Sequence, residues 1–154
     1  MGEKTIFTLA AVLMALYFWL SNFDRFYFGM HFVQAAFYLI VLLLLYYGLE
    51  EWAYVMAIVA PLLWVVEAWL LGILGAALRG LGGLATGQGF QNPVDVVGGL
   101  VFLVSLVLMA VSAVLFKRDI WGRPGVMRST IGAILVVGLY NALLAYIYYR
   151  ISTP

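Results

Sequence analysis

The placement of charge constrains this chain more than any motif does. Nineteen uncharged residues separate Lys4 from Asp24, 24 separate Arg25 from Glu50, and 27 lie between Glu51 and Arg79 with only Glu67 interrupting. A further 21 lie between Asp95 and Lys117, and 21 again between Arg128 and Arg150. A helix rising ~1.5 Å per residue crosses the ~30 Å hydrocarbon layer of a bilayer in ~20 residues. Lipid offers a backbone no hydrogen bonds, so only helices or closed barrels cross it. The runs are too long for barrel strands and lack period-two alternation. The expected fold is all-α: a polytopic integral membrane protein, a bundle of five transmembrane helices over about 5–23, 27–49, 52–78, 95–116 and 129–149, in one transmembrane domain over 1–154. The third run could extend to ~40 Å, so it should tilt, kink or project beyond the lipid.

Composition agrees. The chain is 66% hydrophobic and 10% charged, against ~45–50% and ~25% in ordinary globular domains, an excess no single small core could hide. The first run has one preceding Lys and no small-residue cleavage signal near its end, so it reads as a retained span. Lys117, Arg118, Arg123 and Arg128 share one short loop; with Lys4 they put five basic residues on one side and leave three, Arg25, Arg79 and Arg150, on the other. Basic loops stay cytoplasmic, which predicts N-inside, C-outside; the expected location is a prokaryotic cytoplasmic membrane. Tyr17, Phe18, Trp19, Phe23, Phe26, Tyr27 and Phe28 around the first turn, with the aromatic residues at the other span ends, form interfacial belts.

Several function classes drop out. A net charge of +1 leaves no footprint for nucleic acid. Without cysteine, and with His31 as the single histidine, the chain cannot assemble a thiolate or multi-histidine metal site by itself. Neither a G-x-S-x-G elbow nor an H-E-x-x-H motif occurs. No cofactor is predicted. Eleven of the 32 residues from Phe7 to Tyr38 are aromatic, which leaves contact with a quinone, carotenoid or lipid open.

Glu67 is the most informative side chain. A carboxylate at membrane depth costs ~2.5–3.5 kcal/mol on insertion scales, so it should face protein or water and find a partner. It lies ~22 Å along the third span counted from Trp52, in the outer half, six residues after the helix-bending Pro61. It is either a proton or cation relay or a polar anchor for a ligand, or, the weightier reading, a protonated or hydrogen-bonded group fixing one helix against another or against a different subunit. His31, Gln34 and Tyr38 share a face of the second span at i, i+3 and i+7. His31 could pair with Glu67 in the outer half, and Asn141, ~18 Å into the last span, could join them. Interhelical hydrogen bonding of modest value, ~0.6 kcal/mol on average, explains the same residues and is favoured.

Other features have structural explanations. Asn92, Pro93 and Asp95 fit the N-cap, N1 and N3 positions of a helix start. Asp24 and Arg25 should be solvated in a tight turn. The glycine-rich stretch from Arg79 to Pro93, with Gly80, Gly82, Gly83, Gly87 and Gly89, lacks the Gly-Lys-Ser/Thr ending of a phosphate loop. It is expected to be a re-entrant or surface loop. Lys117, Arg118, Trp121, Arg123 and Arg128 are candidates for anionic lipid headgroups, although topology explains those charges as well. Gly98, Ser105 and Ser112 on the fourth span form a small-residue stripe for close helix packing. Gly138, Ala142 and Ala145 on the fifth, and Gly72 with Ala76, form two more.

These features point to a small, non-catalytic subunit or accessory protein that stabilises a larger membrane complex, its partners being the bilayer and other integral membrane subunits. The alternatives are a homo-oligomeric transporter or channel component using Glu67, and an embedded enzyme or binder of a lipid or quinone that brings His31, Glu67 and Asp95 together.

Overall fold

The computed structural model describes residues 2–25, 27–87 and 92–152. Phe26 of the aromatic belt and Gly89 of the glycine-rich stretch lie outside them. Among the described residues there is no strand, and six α-helices follow in order: α1 (Gly2–Phe23), α2 (Phe28–Tyr46), α3 (Glu50–Leu70), α4 (Ile73–Thr86), α5 (Pro93–Leu115) and α6 (Val126–Ser152). A π-helical turn, Phe116–Ile120, prolongs α5. Five of these helices, all but α4, are long and apolar enough to cross a membrane.

The helix ends follow local chemistry. Gly48, at φ +74°, closes α2: its N–H bonds to the carbonyl of Leu45 and that of Leu49 to the carbonyl of Leu44, the Schellman arrangement that glycine favours. At the start of α5 the Asn92 side chain accepts a hydrogen bond from the Val94 N–H at 3.0 Å, with Pro93 in the first turn. This is the cap expected from the sequence.

The third span is corrected in one respect. The run 52–78 is not one rod: the helix carries on through Pro61 and ends at Leu70. The N–H groups of Leu71 and Gly72 bond back to the carbonyls of Glu67 and Trp69, and Gly72 turns left-handed at φ +73°. A residue with a Cβ would pay ~1–2 kcal/mol for that conformation, which glycine avoids. The run is longer than one crossing needs, and the surplus becomes the first part of α4.

The stretch from Arg79 to Thr86, expected as a loop, is therefore helical. Tertiary contact overrides the weak helix propensity of glycine. A methyl group built on Gly80 would stand 2.5 Å from the carbonyl of Asp95, and one on Gly99 would stand 2.5 Å from Leu81 Cγ and 2.7 Å from the Ala77 carbonyl. Gly80 and Gly99 thus let α4 lie against α5. Gly98, the glycine of the expected stripe, has only the Ala77 methyl near it, at 4.0 Å.

The bundle is organised around α5, which packs on α1, α3 and α4, while α1 also packs on α2 and α3 on α6. The buried face of α1 runs Ile6, Ala10, Leu13, Tyr17 and Leu20, a spacing of three and four that puts them on one side of a helix. Ser105 and Ser112 are fully buried on α5 with Val101 and Leu108. The opposite faces are equally apolar but exposed, as Leu135 and Leu139 are on α6. Apolar residues on both faces suit a helix whose outer solvent is lipid.

Candidate functional site

The α1–α2 turn brings Asp24 back over the start of α2. One carboxylate oxygen of Asp24 accepts from the Tyr27 N–H at 3.3 Å, and the other lies 3.3 Å from His31 Nε2. His31 Nδ1 is 3.1 Å from Gln34 Oε1. Asp24 is consequently a half-buried partner rather than the solvated turn residue expected. His31 pairs with Asp24 and not with Glu67, because the turn delivers a carboxylate within the same hairpin. Its two ring nitrogens are fixed between two oxygens, so the imidazole is held in one orientation.

An aromatic stack continues from this pair into the bundle. The Tyr17 ring stacks on His31, centroids 6.4 Å apart, and on Tyr38 at 5.8 Å. Phe37 meets Tyr38 edge-on and the Tyr140 ring at 4.5 Å, so the stack reaches α6. Such offset and edge contacts suit the quadrupoles of the rings and add ~0.5–1.5 kcal/mol each beyond burial. Tyr17, expected in the interfacial belt, is instead buried in the core at 2% exposure. Its signal was present, since it falls in register with Ile6, Ala10 and Leu13 on the buried face of α1.

Glu67, on α3, is within electrostatic reach of Tyr17 and Tyr140. It is half-buried, and its carboxylate makes no hydrogen bond or ion pair with the described residues. Asn141 is buried next to Tyr140 but donates to the Val137 carbonyl of its own helix at 2.8 Å. The structure therefore joins His31 to Gln34, and stacks Tyr17 between His31 and Tyr38. It does not hydrogen-bond Asn141 or Glu67 to either. Nor do His31, Glu67 and Asp95 pair with one another.

At the end of the bundle where α1 and α3 begin, the basic loop folds back on the acidic one. Arg123 Nη1 lies 3.3 Å from Glu50 Oε2, and Arg118 makes two hydrogen bonds, 2.6 and 2.7 Å, to Asp119. Two of the five headgroup candidates are thus already engaged by carboxylates, while Lys117, Trp121 and Arg128 are exposed. Arg123 supplies the counter-charge that the loop around Glu50 and Glu51 lacks in its own sequence.

On α6, Gly138, Ala142 and Ala145 are exposed, and nothing stands within 4 Å of a methyl built on Gly138. That small-residue face is not used within the chain. Comparison with protein-family models, with curated proteins and with solved structures found no match.

Proposed function

We propose that the chain is a non-catalytic integral membrane subunit that docks against a larger membrane complex and stabilises it. The observation that carries this reading is Glu67: a carboxylate at membrane depth with no partner among the described residues. Its burial cost, ~2.5–3.5 kcal/mol, calls for a donor supplied from outside the chain, such as a polar or basic residue on a neighbouring helix. The open face of Gly138, Ala142 and Ala145 offers a second contact of the kind by which membrane helices approach closely. The subunit lies in a prokaryotic cytoplasmic membrane. Its N-terminus is inside, an orientation supported by the five basic residues on that side against three opposite.

A photo-crosslinking residue at Leu139, which is 72% exposed beside Gly138, tests this in the source membrane. A discrete adduct with a different polypeptide is expected. Adducts with lipid alone, or with a second copy of the chain, contradict the reading.

A second reading rests on the chain of contacts from Asp24 through His31 and Gln34, flanked by Tyr17 near Glu67. It is a homo-oligomeric transporter or channel component in which Glu67 responds to protons or cations. In proteoliposomes that reading requires Glu67→Gln to abolish flux while assembly survives; unchanged flux removes Glu67 from the mechanism.

A further inference from the structure

Five helices each send one polar side chain toward the same part of the interior: Tyr17 on α1, Tyr38 on α2, Glu67 on α3, Ser105 on α5 and Tyr140 on α6. The Tyr17 and Tyr38 rings stack at 5.8 Å, and Phe37 bridges from Tyr38 to Tyr140. Glu67 is within electrostatic reach of Tyr17 and Tyr140. The Tyr38 hydroxyl comes near Ser105 Oγ without the two completing a hydrogen bond, and Ser105 is fully buried. A buried hydroxyl left short costs ~1–3 kcal/mol, and one ordered water between polar groups removes that cost.

His31 joins this interior to the surface. Its Nε2 lies 3.3 Å from Asp24 Oδ2 in the α1–α2 turn, where the Asp24 side chain is 21% exposed. Its Nδ1 lies 3.1 Å from Oε1 of Gln34, which is buried one turn further along α2. One ring nitrogen therefore faces the solvent side and the other the interior. A neutral imidazole donates from one nitrogen and an imidazolium from both; Gln34 can accept through its oxygen or, turned over, donate through its NH2. All three protonation forms of the ring are accommodated between these two neighbours. Tyr17, stacked on the same ring at 6.4 Å, is the link between His31 and the interior group.

We propose that Asp24, His31 and Tyr17 form a proton path connecting the solvent at the α1–α2 turn to Glu67. The inference rests on the reading of Glu67 as a proton-responsive group and names its route of access. A proton passing from Asp24 forms the Nε2–H bond, and His31 releases its Nδ1 proton inward to an ordered water. The Tyr17 hydroxyl oxygen accepts that proton and gives its own to the Glu67 carboxylate, so no charge stays on the phenol. A half-turn of the imidazole returns the bare nitrogen to Asp24. Protons fit this path better than metal cations do. Hydroxyls and an imidazole both accept and donate, whereas no group of three His, Asp or Glu side chains gathers among the described residues to ligate a metal.

Proton flux into vesicles of the reconstituted full chain, driven by a potassium diffusion potential and read by an enclosed pH dye, tests the path. The parent should conduct above protein-free vesicles, and Glu67→Gln should abolish the flux. Tyr17→Phe keeps the ring stack and removes only the hydroxyl, so it should lower flux at least about tenfold while unfolding at the parent's temperature. His31→Gln and Asp24→Asn should lower it in the same direction, and Tyr17→Phe alone decides the matter where either of them fails to fold. A purely structural role for Tyr17 would leave flux intact in that variant. If Glu67→Gln is inactive while Tyr17→Phe conducts like the parent, the path is overturned and the proton reading of Glu67 stands. A parent that does not conduct, or a Glu67→Gln variant that conducts unchanged, overturns both.

Discussion

The indole ring of Trp52 on α3 occupies the space that Gly132 on α6 leaves by having no side chain. A methyl built on Gly132 would stand 2.5 Å from Trp52 Cη2 and 3.0 Å from Cζ2. The ring itself is rigid, so an added methyl must swing the whole indole out of its place or push the two helices apart. Gly132→Ala should destabilise the bundle by ~1–3 kcal/mol, the usual range for overpacking. Gly138→Ala, on the open face of the same helix, should stay within ~0.5 kcal/mol of the parent. Equilibrium unfolding in detergent compares them, and equal stabilities would contradict the packing described.

Gly80 meets backbone rather than side chain, since its missing Cβ would lie against the carbonyl of Asp95. Neither helix can yield there by changing a rotamer. Gly80→Ala should detach α4 from α5 and raise hydrogen exchange over Ile73–Thr86, with α1 and α2 protected as before. Unaltered exchange across α4 would mean that the close approach does not exist in solution.

Asp24 and His31 should be energetically coupled. Asp24→Ala removes both the acceptor for the Tyr27 N–H and the partner of His31, at a cost of ~1–2 kcal/mol. A double-mutant cycle with His31→Ala should return a coupling of at least ~0.5 kcal/mol. Strict additivity would show that the two side chains do not interact.

Ser112 on α5 is fully buried and its hydroxyl has no hydrogen-bond partner among the described residues. An unsatisfied buried hydroxyl costs ~1–3 kcal/mol, so Ser112→Ala should be neutral or stabilising. A loss greater than ~1 kcal/mol, well outside what removing an unpaired group produces, would mean that the hydroxyl is bonded after all.

The helical class and the number of long apolar helices were legible because lipid imposes one rule on every backbone group, and charge spacing records where that rule applies. The break at Gly72 was less legible. Hydropathy is the same for one long helix and for two joined by a glycine, and only the surplus length of the run from Trp52 to Leu78 hinted at it. Helix α4 was hidden by its own composition: Gly80, Gly82 and Gly83 look like a loop until the close approach to Asp95 gives glycine a packing role. That Asp24 is the partner of His31 was not legible for a related reason. Helical spacing shows which residues share a face, as with His31 and Gln34, but not that a turn brings Asp24 back over them. The arrangement of Asn92, Pro93 and Asp95 was readable because capping is local and needs no tertiary knowledge.

The most direct test of the subunit reading is native mass spectrometry of material gently solubilised from the source membrane, with lipids retained, for the parent chain and for Glu67→Leu. The account predicts that the parent co-migrates with larger membrane subunits, and that Glu67→Leu loses them while unfolding at an undiminished temperature. A parent chain that runs alone, as a monomer or a homo-oligomer, would contradict it, as would a Glu67→Leu variant that keeps the full complex.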